Sequence, residues 1–248
     1  MIRMKFGKYV FNDDFFCFCD SRPLPEFRPA STNVEGTDGE SFDELTLGPR
    51  KFTVTLVAKA KTFNRLQRVA RKLATALMVR EPTPFVFTDE NDDTGFQLSR
   101  LAVPTGNIDV EEFMRVGRWT VEFVQYDPYL YGKKQEVVLK ANVSTRVKVN
   151  GNAPTYPVLT ARPTGTSYWI KDNLGHRVDF KGPFVQSGFS SSQQTQLRMN
   201  FLRQTAYLSP SVSDAEGLQL GSEFWAFEGH FHLKASHDTT LSWHERWL

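Results

Sequence analysis

The sequence has almost no cysteine, with two in 248 residues, Cys17 and Cys19. On a strand, residues two apart point to the same face, which makes them poor disulfide partners, so two reduced thiols are expected. Long apolar runs are missing too. No segment approaches the ~20 apolar residues of a spanning helix, and no stretch of signal-peptide character precedes Asp13 and Asp14; the expectation is a chain made in a cytoplasm, with no membrane partner. An excess of one charge is also lacking: 30 Lys and Arg against 28 Asp and Glu give a net charge of +2. That excludes a broadly basic surface for nucleic acid, and no specific nucleic-acid binding is expected. Neither a Gly-x-Ser-x-Gly elbow nor a glycine-rich phosphate loop is present. The reading is therefore no enzyme, no cofactor, no catalytic residue and no metal ligand.

What the chain does have is aromatic residues, 21 of them phenylalanine, and strand patterning. Its length is comfortable for two domains. From Arg50, Phe52, Val54, Leu56 and Ala58 alternate with Lys51, Thr53 and Thr55, the period of a half-buried strand. Thr62 then caps a helix over 62–78, which sets Phe63, Leu66, Val69, Ala70, Leu73 and Leu77 along one stripe and Arg65, Arg68, Arg71 and Lys72 on the other face. Pro82 and Pro84 stop it. Strands are expected at 84–88, 96–103 and 117–124, with the acidic stretch 89–95 as a hairpin loop. Upstream, Pro23, Pro25 and Pro29 forbid helix and favour an extended edge, and Gly36 and Gly39 mark an exposed loop. Past Gly132, segments 135–140 and 144–150 alternate again. The Gly/Asn/Pro stretch 151–157 reads as a boundary between two β units. Seven short strands follow, at 158–162, 167–170, 176–180, 196–201, 204–208, 228–233 and 239–244, with the Ser/Gln run 187–196 as a loop; their spacing without helical periodicity is that of a β-sandwich.

Several side-chain groups have donor atoms or rings suited to chemistry. Asp89, Glu90, Asp92 and Asp93 offer oxygens to a divalent cation but lack calcium-hand spacing, so a solvated hairpin tip is expected. His230, His232, His237 and His244, with Cys17 or Cys19, could converge on zinc but match no ligand spacing, and structural histidines are expected. Asp179 and Glu223 are carboxylates without a pairing signal. Ser190 to Ser192 reads as polar loop. Tyr168, Trp169, Trp225 and Phe227 could stack on sugar, yet they sit in apolar strands and core packing is expected. The basic helix face suits either solvent or a protein interface.

In order along the chain, Gly36 to Gly39, Leu47 to Val54, helix 62–78, Pro84 to Asp89, Gly117 to Phe123, Asp127 to Gly132, Gly151 to Pro157, Leu218 to Phe227 and Thr240 to Leu248 together resemble the distal tail protein (Dit) family of long-tailed bacteriophages, siphovirus-type tail components. The resemblance implies a mainly β chain with one N-terminal-domain helix: residues 1–135 as a β-sandwich/split-barrel ring-forming domain and 136–248 as a galectin-like β-sandwich. It implies a structural distal tail or baseplate hub protein in the virion tail tip, made in the bacterial host cytoplasm. As a homo-hexameric ring it would join the tail-tube (major tail) protein to the tail-associated fibre or lysin protein around the DNA exit channel, with tape measure and receptor-binding proteins as further partners. Ring closure needs a repeated heterologous contact, which an edge strand or the proline-rich arm 21–30 can supply. The family's interfaces carry no short motif, so interface residues stay unassigned. The alternative is a glycan-binding β-sandwich module for host-surface adhesion.

Overall fold

Alternating apolar residues build both halves of the chain. The computed structural model describes residues 3–19, 21–33, 35, 36, 38–106, 110–182, 184, 196–209, 213, 214 and 217–248. Two compact units emerge, Met1–Tyr131 with Leu248, and Gly132–Trp247. The Ser/Gln run, as far as residue 195, lies outside the described residues.

In the first unit, β1 (Met4–Phe6) and β2 (Tyr9–Val10) flank a turn at Gly7, whose φ of 56° is the left-handed value that glycine adopts freely. A single helical turn, α1 (Phe11–Asp14), leads to β3 (Phe15–Phe18). Next come β4 (Phe27–Asn33), β5 (Glu40–Leu47) and β6 (Arg50–Ala58). Helix α2 (Phe63–Leu77) follows, with Thr62 accepting the Arg65 amide at 3.4 Å. Then β7 (Thr83–Asn91), β8 (Gln97–Thr105), α3 (Val110–Val116) and β9 (Arg118–Gln125) complete it. One sheet runs β2-β1-β7-β8 and the other β8-β9-β6-β3. Strand β8 serves both: Gln97 to Ala102 pair with β7, while Val103 to Thr105 pair with β9.

The core between these sheets is a phenylalanine cluster. Phe85 lies 5.1 Å from Phe52 and 4.9 Å from Phe123, ring centre to ring centre, and Phe6, Phe11 and Phe87 complete it. Helix α2 seals one side with Val69, Ala70, Leu73 and Leu77. The helical stripe is thus as expected except at its first member: Phe63, in the first turn of the helix, is 62% exposed. Two further short helices join the expected one. Helix α3 buries Phe113 against Trp119 and ends at Gly117, whose amide returns to the Phe113 carbonyl at 2.7 Å; that left-handed glycine is a helix stop.

The chain passes into the second unit within β10 (Leu130–Leu139). The remaining strands are β11 (Thr145–Lys148), β12 (Val158–Ala161), β13 (Ser167–Asp172), β14 (Arg177–Lys181), β15 (Gln196–Asn200), β16 (Thr205–Ser209), β17 (Ser213–Asp214), β18 (His230–Ala235) and β19 (Thr239–Trp247). They form two sheets, β17-β16-β15-β12-β19-β10 and β11-β18-β13-β14. Between them lies a core that includes Leu159, Ile170, Val178, Phe227, Leu233 and Leu241. This is the expected β-sandwich. The Gly/Asn/Pro stretch 151–157, read from sequence as a boundary, instead lies inside this unit and joins β11 to β12. Its glycine has a packing reason, since a Cβ on Gly151 would meet the Arg246 carbonyl oxygen at 2.3 Å. Close backbone approach and a domain linker leave the same mark in a sequence.

Candidate assembly surfaces

Among the described residues, strands β4 and β5 pair only with each other. Every residue of β4 is exposed, and every residue of β5 except Leu47. A two-stranded hairpin is marginal in water on its own, so this one depends on how its base is held. Arg22 holds the approach, its guanidinium reaching Asp89 at 2.6 Å and Glu90 at 3.0 Å and lying 4.2 Å over the Phe87 ring. Glu90 also receives Arg100, itself buried over Phe87 and Phe52. Burial pushes the Asp89 carboxyl up, but its hydrogen bonds from Arg22 outweigh this and leave it below the usual carboxylate range. At the other side of the base the Gly48 amide donates to the Glu26 carbonyl at 2.7 Å. A Cβ on Gly48 would meet Arg28 Nε at 2.7 Å, so a side chain there would displace the exposed Arg28–Glu26 pair.

The register of the hairpin makes it amphipathic. Phe27 faces Leu47, Pro29 faces Leu45, and after an irregularity between Ala30 and Ser31, Ser31 faces Phe42. Asp43 is the extra residue. This bulge shifts the alternation by one, so Phe27, Pro29, Phe42, Leu45 and Leu47 share one face. Phe27, Phe42 and Leu45 are 59%, 65% and 52% exposed. Fully burying such side chains is worth about 1.5–3 kcal/mol each, and contiguous apolar surface of this kind marks an interaction site. Residues 26–47 also carry six carboxylates against the single guanidinium of Arg28.

The second surface is the outer side of α2. Lys61, Arg65, Arg68, Arg71 and Lys72 are exposed, and no acidic residue occurs between 61 and 77. Lys72 pairs with Asp14 at 3.3 Å. Arg65, Arg68 and Arg71 make no ion pair among the described residues. Beside them a notch of about 300 Å³ opens between α2 and α3, lined by Phe63, Gln67, Ala70, Arg71, Ala74 and Met114.

The other groups weighed from the sequence take structural places. Asp89 and Glu90 are used by arginines, and Asp92 accepts from the Thr94 and Phe96 amides at 2.8 and 2.9 Å, shaping the β7–β8 loop. The histidines do not come together. His230 meets Arg146, His237 meets Ser236 and Thr164, and His244 meets the Gly132 carbonyl. Among the described residues no group of three or more His, Cys, Asp or Glu side chains could hold a metal ion. Asp179 is taken by Arg177 at 2.6 Å, while the Glu223 amide donates to the Arg177 carbonyl. Ser190 to Ser192 lie outside the described residues. Cys17, on the core side of β3, and Cys19, just past its end, are free thiols; burial pushes Cys17 up to about 11 and raises Cys19 as well, which suppresses thiolate reactivity at neutral pH. Tyr168, Trp225 and Phe227 are core residues. Trp169, expected in the core, is only half-buried: it sits on the outer face of β13 with Lys171 and Arg177 at 5.6 and 5.5 Å from its ring centre. The arm's apolar face escaped the sequence reading; its only signals were the prolines and the two loop glycines.

The fold, two β units of which one bears an exposed amphipathic arm, is shared with solved phage tail structures. Residues 5–125, within the first unit, match the family described as phage tail protein RIFT-related domain. Over its whole length the chain is similar to the SPP1 Dit (gp 19.1) protein, described as a paradigm of the hub adsorption apparatus in Gram-positive infecting phages, with 19% identity, 100% of both chains covered and a TM-score of 0.72. Two baseplate structures of phage P2 in its activated conformation also share the fold. With calcium the identity is 7%, coverage 99% of this chain and 98% of that one, and TM-score 0.54. With strontium the values are 8%, 98% of each and 0.51. No curated protein matches the sequence.

Proposed function

We propose that this protein is a structural distal tail protein of a long-tailed bacteriophage, part of the baseplate hub at the tail tip. In this reading the first unit closes into a homo-hexameric ring around the DNA exit channel. The ring joins the tail-tube protein to the tail-associated fibre or lysin protein, and the second unit is a galectin-like sandwich. The observation that carries the reading beyond likeness of fold is the β4–β5 arm: a fixed base, one apolar face and no cover from the described residues of its own chain. Such an arm is suited to a heterologous contact repeated by rotation, the geometry that closes rings. The glycan alternative draws little support, because Tyr168 and Trp225 are buried and the half-exposed Trp169 ring is engaged by two cations.

The test is the molar mass of the purified chain by light scattering on a size-exclusion column, followed by negative-stain imaging. Six copies in a ring with an axial hole is the expected result. A fixed mass of two or three copies without a hole would overturn the hexameric ring.

A further inference from the structure

We infer that the β4–β5 arm of one copy docks on the basic face of α2 of the next copy, with its apolar face over the notch between α2 and α3. The inference rests on the ring reading and adds the landing site. Three features match. The first is charge: a segment with six carboxylates and one guanidinium faces a helix side with five cations and no acid, and complementary fields of this kind steer association and fix register. Arg65, Arg68 and Arg71 have no intramolecular ion pair to give up among the described residues. Arginine also suits carboxylates, with its planar fork of donors.

The second is apolar surface. Phe27, Phe42 and Leu45 project from one face of the arm. The notch presents Ala70, Ala74 and Met114 beside Phe63, the most exposed residue of the helical stripe. The third is length. An arm of seven and eight paired residues spans about 25 Å, and a helix of fifteen residues spans about 22 Å. With Phe42 at the notch, Glu40, two positions towards the tip and on the same face, comes beside the helix cations. The arm's own α2 is not its cover, since the arm is exposed in the single chain.

The experiment reverses charges in the full chain. One variant is R65E/R68E/R71E, the second E35K/D38K/E40K at and near the tip of the arm, and the third combines all six changes; all six positions are exposed, and circular dichroism checks that each variant folds. Association is followed by light scattering over a concentration series at low and high salt. Each triple variant is expected to weaken self-association by ~10-fold or more, and the combined variant to restore most of it. As a direct readout, p-benzoylphenylalanine replaces Phe42 in a mixture of light and heavy chains, and crosslinks between copies should fall on residues 63–78 or 110–116. A ring that survives both triple variants, with crosslinks elsewhere, overturns the landing site and leaves the ring standing. A wild-type chain that is monomeric and forms no crosslink between copies at any concentration reached overturns both.

Discussion

The same residue type does opposite work in two parts of the first unit. Phe52, Phe85 and Phe123 touch one another at ring-centre distances of 4.9 to 5.4 Å and are essentially inaccessible. Phe27 and Phe42, on a hairpin that pairs with nothing but itself, are more than half exposed. Burial inside one chain stabilises that chain; the same side chains left in water stabilise only what covers them. The core therefore sets the stability of the monomer; in the proposed ring, the arm is the part whose contacts lie between copies.

The sharpest way to break the core side of this contrast is Phe85→Ala. Phe85 has five aromatic neighbours and no exposed surface, so truncation removes transfer energy and leaves a cavity, together about 3–5 kcal/mol. Thermal unfolding followed by circular dichroism should show a drop in Tm of roughly 10 °C or more. An unchanged Tm would mean the phenylalanine cluster is not the core.

Arg22 connects the two regions, and Arg22→Ala should have an intermediate effect. It strips Asp89 and Glu90 of a partner, which costs about 1–3 kcal/mol for a half-buried site. It also frees the approach to the arm, so limited proteolysis should cut within 20–30 faster in the variant. Equal cutting rates would show that the arm is held by Gly48 and Glu26 alone.

A smaller effect is expected from pH. Asp89 sits below the usual carboxylate range in the folded chain, so its contribution is complete above an ordinary carboxylate pKa of about 4 and is lost as pH falls through its lowered folded value. Urea midpoints should fall between pH 6 and pH 3, and by less in Arg22→Ala than in the wild type. Equal falls would place the acid sensitivity elsewhere. The carboxylate is partly exposed, so solvent screening keeps its share modest.

Much of the monomer was legible in the sequence, because its signals are local. The stripe from Leu66 to Leu77 and the alternation from Phe52 to Ala58 each report a face buried within the chain. The arm was harder to read for a physical reason: in β5, Phe42, Leu45 and Leu47 are spaced three and then two, which is no strand period until the bulge at Asp43 is known. Pairing across the hairpin, not the order of residues along it, puts them on one face. Phe63 misled in the other direction, since a stripe at helical spacing says which residues share a face but not which of them the rest of the chain covers. Gly151 misled because a glycine pressed against the Arg246 backbone looks like a linker glycine.

The smallest expected change in stability belongs to Phe42→Ala, and it carries the most information about the comparison. Phe42 is 65% exposed and makes no aromatic contact among the described residues, so its removal should move the unfolding free energy by no more than about 0.5 kcal/mol, the range of surface substitutions. If the arm works between copies, the same change deletes a buried anchor there, and anchors of this type typically cost 2 kcal/mol or more in binding, about 30-fold. The variant should therefore keep the wild-type Tm as a dilute monomer while its self-association curve shifts to higher concentration by about that factor. A fall in Tm together with an unshifted curve would reverse the assignment: Phe42 would then be part of the monomer's own fold, and the arm would have no claim to the assembly.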